Sequence, residues 1–323
     1  MNRFQLVHVT EFQYDGPVRD SYNQVRLQPM NDERQSCLSF RLTTSPPTQI
    51  TSHRDAFGNW VHQFSVLNEH RQLAVQAESV VLSHNTTNHH PKALSLEEFD
   101  SMAPDVYDEF FDFVAPSAYV PHLEPLKLLV RRAQDESDGT AEGFAQAAST
   151  LVHECLRYVK GATHVHSSIK TSLGMGAGVC QDFAHVLLGV LRVRGLPGRY
   201  VSGYLVPKRA VEPGASMEQV IGGQATHAWV EVYVPGSGWM PLDPTVGAPV
   251  EQRHIRVAYG RDYGDVPPVR GVYKGQAGQR LSVDVRVRPA LDDEGRELFE
   301  KFGAKPPEAL PDQRQQQPAQ QQQ

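Results

Sequence analysis

The segment that most constrains this chain is Phe183 to Val193, FAHVLLGVLRV, which is almost wholly apolar and follows Cys180-Gln181-Asp182. A helix that is apolar on all sides has to lie in the middle of a domain, so other elements must surround it. The run stops at Gly195-Leu196-Pro197-Gly198, where both glycine and proline end a helix. It starts just after Gly178-Val179, a point at which the backbone can turn sharply, so Cys180 opens the helix.

Downstream, three runs read as strands: Arg199 to Val206, His227 to Val234 and Gly238 to Asp243. Upstream, helices are expected over 96–102, 105–113 and 125–134. A stronger one is expected over 141–159, where Phe144, Ala148, Leu151, Cys155 and Val159 recur at three- and four-residue steps. Helices, a buried helix and then strands is the order of an α+β fold, not the alternation of a doubly wound sheet.

Residues 1–84 follow a different period. Phe4, Leu6 and His8 sit two apart, as do Leu38, Phe40 and Leu42, then His62, Phe64 and Val66, then Leu73, Val75 and Ala77. That is the pleat of half-buried strands, and Gly58-Asn59 between two runs suits a hairpin turn. The expectation is an N-terminal antiparallel β-sandwich over 1–84, a polar linker over 85–95, and a catalytic domain over 96–290 that includes a last strand at 281–287. Two domains also fit a length of 323 residues. A short charged helix over 292–302 and a disordered Pro- and Gln-rich tail over 304–323 complete the reading.

A formal net charge of -6 gives no basic face for nucleic acid or an anionic membrane, so neither partner is expected. The N-terminal residues lack the apolar stretch of a secretory signal and no run is long enough to span a bilayer, so a cytoplasmic location is expected and the sequon at Asn85 would be idle. Three cysteines without a CxxC argue against a disulfide framework or a structural zinc site.

A cysteine nucleophile needs a setting that favours thiolate, a base within hydrogen-bond reach, and a group that orients the base. Cys180 has the first, because the positive end of a helix favours an anion. Cys37, in a strand, and Cys155, in an apolar helix stripe, read as small buried hydrophobes. In Thr226 to Val234, Ala228, Val230, Val232 and Val234 form a core face, so His227, Trp229, Glu231 and Tyr233 point the other way. A hairpin over 235–238 then folds Asp243 back beside His227, where a carboxylate can fix the imidazole's tautomer.

Other residues keep two readings. Asp182 is either a neighbour of the site or a first-turn carboxylate suited to the helix dipole, pointing away from the sulfur. Trp229 and Tyr204 line a cleft or pack the core, and Glu231 and Tyr233 contact substrate or are plain strand residues. Tyr158 and Ser172 lie upstream of Cys180, with nothing in their spacing to select either as an oxyanion donor. His164 and His166 share a face without a further ligand at metal spacing, so no metal is expected, and no phosphate-binding glycine motif is present.

GVCQDFAHVLLGVLRVRGLPGRYVSGYL followed by HAWVEVYVPGSGWMPLDPT resembles the transglutaminase-like core of the papain-like superfamily. Residues 1–82 resemble the β domain that precedes this core in many bacterial members, and His254 to Gly275 resembles the segment that follows it. The resemblance implies that Cys180 is the nucleophile, His227 the base and Asp243 its orienter, acting on a peptide or carboxamide carbonyl through a thioester. It implies no cofactor, and the calcium-binding insertions of animal transglutaminases have no evident counterpart. A cysteine peptidase or amidase with a peptide or protein substrate is the favoured expectation. A protein-glutamine acyltransferase on the same site, or a non-catalytic binding module, are the alternatives.

Overall fold

The alternation that begins at the N-terminus runs on through one long strand, β1 (Asn2–Val25). A computed structural model of the chain describes residues 2–84, 93–207 and 226–290; most of the expected linker, the helix over 292–302 and the tail lie outside the described residues. β1 is followed by β2 (Gln35–Ser45), β3 (Thr51–Arg54), β4 (Trp60–Val66) and β5 (His70–Ser83). Its pairing register shifts between Gln13 and Val18 and again between Arg19 and Tyr22, with Asp20 at φ 48°. Such irregularities bend a strand. The first half of β1 therefore pairs with β5, and the second half with β4, in one curled antiparallel sheet. Tyr14, Val18, Val25, Phe64, Leu73 and Val75 fill its interior.

The helical part begins with α1 (Leu96–Val114), where the Ser95 hydroxyl accepts the Glu98 N–H and the Glu98 carboxylate accepts the Ser95 N–H. The two helices expected here are one span that continues through Pro104 and breaks its helical geometry at Phe110 (φ -119°, ψ 28°). Next come α2 (Glu124–Glu136), with proline in its first turn, and α3 (Ala141–Cys155), capped by Thr140. α3 stops earlier than its apolar stripe predicts. Arg157 and Val159 donate their N–H groups to Gly176 and Gly178, so β6 (Arg157–Tyr158) runs parallel to β7 (Ala177–Gly178), with α4 (Ile169–Met175) between them. Tertiary pairing here outweighs local helical pattern.

α5 (Cys180–Arg194) is buried from Gln181 through Arg192, as its composition requires. α2 and α3 pack on it from one side and a five-stranded sheet from the other. That antiparallel sheet comprises β8 (Gly198–Leu205), β9 (Thr226–Val234), β10 (Gly238–Asp243), β11 (Ala248–Pro249) and β12 (His254–Gly260), in the order β11-β10-β9-β8-β12. Leu187, Leu188 and Leu191 share a core with Val230, Val232 and Leu242, each such side chain contributing about 1.5–3 kcal/mol. The one buried cation of α5, Arg192, is matched by the carbonyls of Phe113, Ala115, Gly198 and Arg261.

β13 (Val269–Lys274) and β14 (Gln279–Pro289) then return to β1. The last strand, which the sequence places with the catalytic domain, thus lies in the N-terminal sheet, with Phe4 opposite Pro289 and Leu6 opposite Val287. Two carboxamides also bind the N-terminal strands to the sheet edge at β12. Gln35 exchanges hydrogen bonds of 2.7 Å with the Arg256 N–H and C=O, and Asn59 does the same for Tyr259 at 2.9 and 2.8 Å. They occupy the backbone groups an edge strand would otherwise leave open. No described helix is long and apolar enough to cross a membrane.

Candidate active site

Cys180 is the first residue of α5, where the first-turn N–H groups have no carbonyl within the helix to meet. The approach to it is held by Asp182. Its carboxylate accepts from the hydroxyls of Thr163 (2.5 Å) and Ser172 (2.6 Å) and from the Val179 N–H (2.8 Å). Residue 178 must be glycine here, since a Cβ would lie 2.6–2.8 Å from the Asp182 side chain. Asp182 thus braces the loop that presents the sulfur, and Ser172 is committed to it.

His227 enters from the start of β9 and Asp243 from the end of β10. Leu242 pairs with Val230, which sets Asp243 diagonally across from His227, with His227 Nε2 2.7 Å from Asp243 Oδ2. With Nε2 engaged by Asp243, Nδ1 remains for a further partner, and Cys180 is near enough for its charge to act on the ring. Cys180, His227 and Asp243 thus lie in a row, of which the His227–Asp243 contact is a hydrogen bond.

The electrostatics follow from this row. Burial alone disfavours a charged His227. The hydrogen bonds to Asp243 and Cys180, together with their negative charge, outweigh it and raise the imidazole pKa from 6.5 to about 9. Burial likewise pushes Asp243 up, and the hydrogen bonds from His227 and His254 reverse this and hold the carboxyl well below its ordinary range. A raised histidine stabilises the fold fully below 6.5 and loses that contribution as pH climbs through about 9. A depressed carboxyl stabilises above 3.8 and loses its contribution as pH falls through its lowered value.

His254, the first residue of β12, is the residue that sequence reasoning missed. Its Nε2 lies 3.1 Å from Asp243 Oδ2, and its Nδ1 accepts the Glu251 N–H at 3.1 Å. Nδ1 also lies 3.3 Å from the Glu251 carbonyl, but the ionised Asp243 carboxylate can only accept, so Nε2 carries a proton and donates it to Asp243. His227, Asp243 and His254 have ligand atoms within 4.8 Å of one another, the spacing of a metal cluster. With the His254 proton on Nε2, however, the group is built as a hydrogen-bonded chain rather than as a set of open lone pairs. His164 and His166 belong to no such group among the described residues.

The remaining candidates have partners of their own. Tyr204 is buried and its hydroxyl lies 2.9 Å from His8 Nδ1 on β1, so it joins the two sheets. Trp229 is buried, stacked against the His227 ring and edge-on to His254. Glu231 is buried in ion pairs with Arg199 and Arg256, and the Arg199 guanidinium lies between Trp239 and Tyr259. Trp229 and Glu231, on the face of β9 expected to border a cleft, are thus buried among these partners. A cavity of about 900 Å³ borders Trp229, Glu231, His254 and Arg256, but Cys180 and His227 are not among its walls. Of the two upstream candidates, Tyr158 is half exposed and close enough for its hydroxyl to feel the charge of Cys180.

Residues 4–82 match the bacterial transglutaminase-like N-terminal region and residues 129–244 match the transglutaminase-like superfamily. An uncharacterised protein of Mycobacterium leprae is 36% identical over 289 residues, covering 89% of this chain and 99% of that one. One of Mycobacterium tuberculosis is 31% identical over 317 residues, covering 90% and 94%. The crystal structure of a candidate cysteine protease from Cytophaga hutchinsonii superposes with a TM-score of 0.68 at 20% identity, over 90% of this chain and 92% of that one. With its α+β core, its curled N-terminal sheet and these relatives, the chain belongs to the transglutaminase-like superfamily and carries the bacterial N-terminal region of that family.

Proposed function

We infer that this protein is a thiol-dependent hydrolase, a peptidase or amidase, in which Cys180, His227 and Asp243 act as a catalytic triad. The observation that carries the reading is the His227 ring, held by the Asp243 carboxylate at 2.7 Å with Cys180 beside it. The Cys180 thiolate attacks the carbonyl carbon of a peptide or carboxamide, forming a C–S bond. The oxyanion is met by the Cys180 N–H and by the Tyr158 hydroxyl. As the C–N bond breaks, the His227 imidazolium gives its proton to the leaving amine. His227 then takes a proton from water, which attacks the thioester and releases the acid and the thiolate. The likeness to a candidate cysteine protease agrees with water as the second acceptor.

Iodoacetamide at neutral pH tests the nucleophile. Cys180 should be alkylated about 100-fold faster than Cys37, whose thiol burial pushes up to about 11. Equal, slow labelling of all three cysteines would sink the reading. Mass spectrometry of products with an added primary amine separates the two acyl acceptors: free acid supports hydrolysis, and incorporation of the amine would instead make the protein an acyltransferase.

The pH dependence has a definite sign. Amide cleavage needs the imidazolium, so its rate should fall as pH rises through about 9. Asp243→Asn removes the charge that holds the proton and should move this alkaline limb to lower pH, as a pH–rate profile of kcat/KM would report.

A further inference from the structure

We propose that His254 is a positioning residue of this site, holding the Asp243 carboxylate in the one orientation from which it accepts from His227. The proposal rests on reading Cys180, His227 and Asp243 as catalytic.

Asp243 has four donors. Oδ1 accepts the N–H groups of Thr245 (3.0 Å) and Val246 (3.1 Å), and Oδ2 accepts from His227 (2.7 Å) and His254 (3.1 Å). A carboxylate offers about four lone-pair directions, so every direction is used and the group cannot turn. The two backbone donors hold only one oxygen. The oxygen that faces His227 is fixed from a second side by His254 alone.

His254 is itself built to stay in place. Its Nδ1 accepts from the Glu251 N–H, its ring meets Trp229 edge-on at 5.4 Å, and it is buried. It comes from the edge strand β12, across β8 and β9 from Asp243, and nothing in the chemistry of acyl transfer uses it. The titratable groups in contact with the Asp243 carboxylate are the imidazoles of His227 and His254, with the Cys180 thiol beyond His227. Arg253, the neighbour of His254, directs its guanidinium to the Val206 carbonyl and the Glu251 carboxylate instead. His254 therefore serves Asp243 as Asp243 serves His227. Its Nε2 donor orients the carboxylate that orients the imidazole.

The test uses the full chain in three forms: wild type, His254→Phe and His254→Gln. Phenylalanine keeps a ring against Trp229 but has no N–H, whereas glutamine keeps an N–H donor of similar reach. Two quantities are read: the rate of Cys180 alkylation by iodoacetamide at pH 7, and the midpoint of the His227 ring titration by NMR. His254→Phe should slow alkylation about tenfold, the size of a lost hydrogen bond to a charged group. It should also lower the His227 midpoint, because a carboxylate free to swing no longer holds the imidazolium. His254→Gln should stay within about threefold of wild type with the midpoint retained. Should the phenylalanine variant not fold, His254→Leu takes its place.

A His254→Phe protein that reacts and titrates like wild type overturns the proposal. So does an equal loss in both variants with a parallel fall in thermal stability, which is the mark of packing alone. One equivalent of zinc that silences Cys180 in wild type but not in His254→Phe would identify a metal site and also overturn it. Wild-type Cys180 no more reactive than Cys37 would remove the catalytic reading first, and the positioning role with it.

Discussion

Cys180→Ala should abolish the burst of p-nitrophenol from p-nitrophenyl acetate and lower turnover of any amide substrate by about 10⁵-fold or more. The burst reports formation of a thioester on the enzyme and needs no knowledge of the natural substrate. His227→Ala should cost nearly as much, because on the proposed mechanism the imidazole that Asp243 holds gives the leaving amine its proton and activates the water. The double variant should be hardly worse than either single one, as expected for groups that act as a unit. Cys180 is half-buried and loses only a sulfur, so the alanine variant should remain folded with a near-normal Tm. A burst that survives in Cys180→Ala would place the chemistry elsewhere.

Gly203→Ala should be the most damaging small substitution in the sheet, costing about 3 kcal/mol or more. A Cβ at 203 would lie 2.1 Å from the Ile255 carbonyl oxygen of β12 and 2.7 Å from the Trp229 ring. The first is backbone in a paired strand and the second is a buried indole, so neither can give way cheaply. The effect should reach the site as well, since Trp229 lies against both His227 and His254. The expected result is a lower urea midpoint at unchanged m, together with slower Cys180 alkylation. Gly174→Ala is the control. Nothing lies within 4 Å of its Cβ position on α4, so the change should be neutral or slightly stabilising.

Much of the site was legible because its signals are local. A glycine-led apolar helix has few places to sit, so Cys180 at its start was readable from Gly178 and the run to Val193. The strand phase of β9 and the short hairpin to β10 brought Asp243 to His227 with no long-range information. Where a contact spans distant segments, the same reasoning stopped. Nothing in the alternation of β9 says which groups meet its second face, and only the fold sets Arg199 and Arg256 against Glu231 and His254 against Trp229. Tyr204 found its partner in His8, and the last strand found β1. α3 ended early because β7, about twenty residues on, claims the backbone of Arg157 and Tyr158.

By itself the sequence determined the order of elements, the buried helix that Cys180 opens, and the hairpin that brings Asp243 to His227. Hydrophobic period and hairpin connection are short-range properties, written in neighbouring residues. Only the tertiary structure decided that β13 and β14 close the N-terminal sheet, that Gln35 and Asn59 seal the edge of β12, and that His254 reaches Asp243. Each of these is a pairing between segments far apart in the chain. Such pairings are chosen by which backbone and side-chain groups would otherwise be buried without a partner, and that is a property of the packed whole.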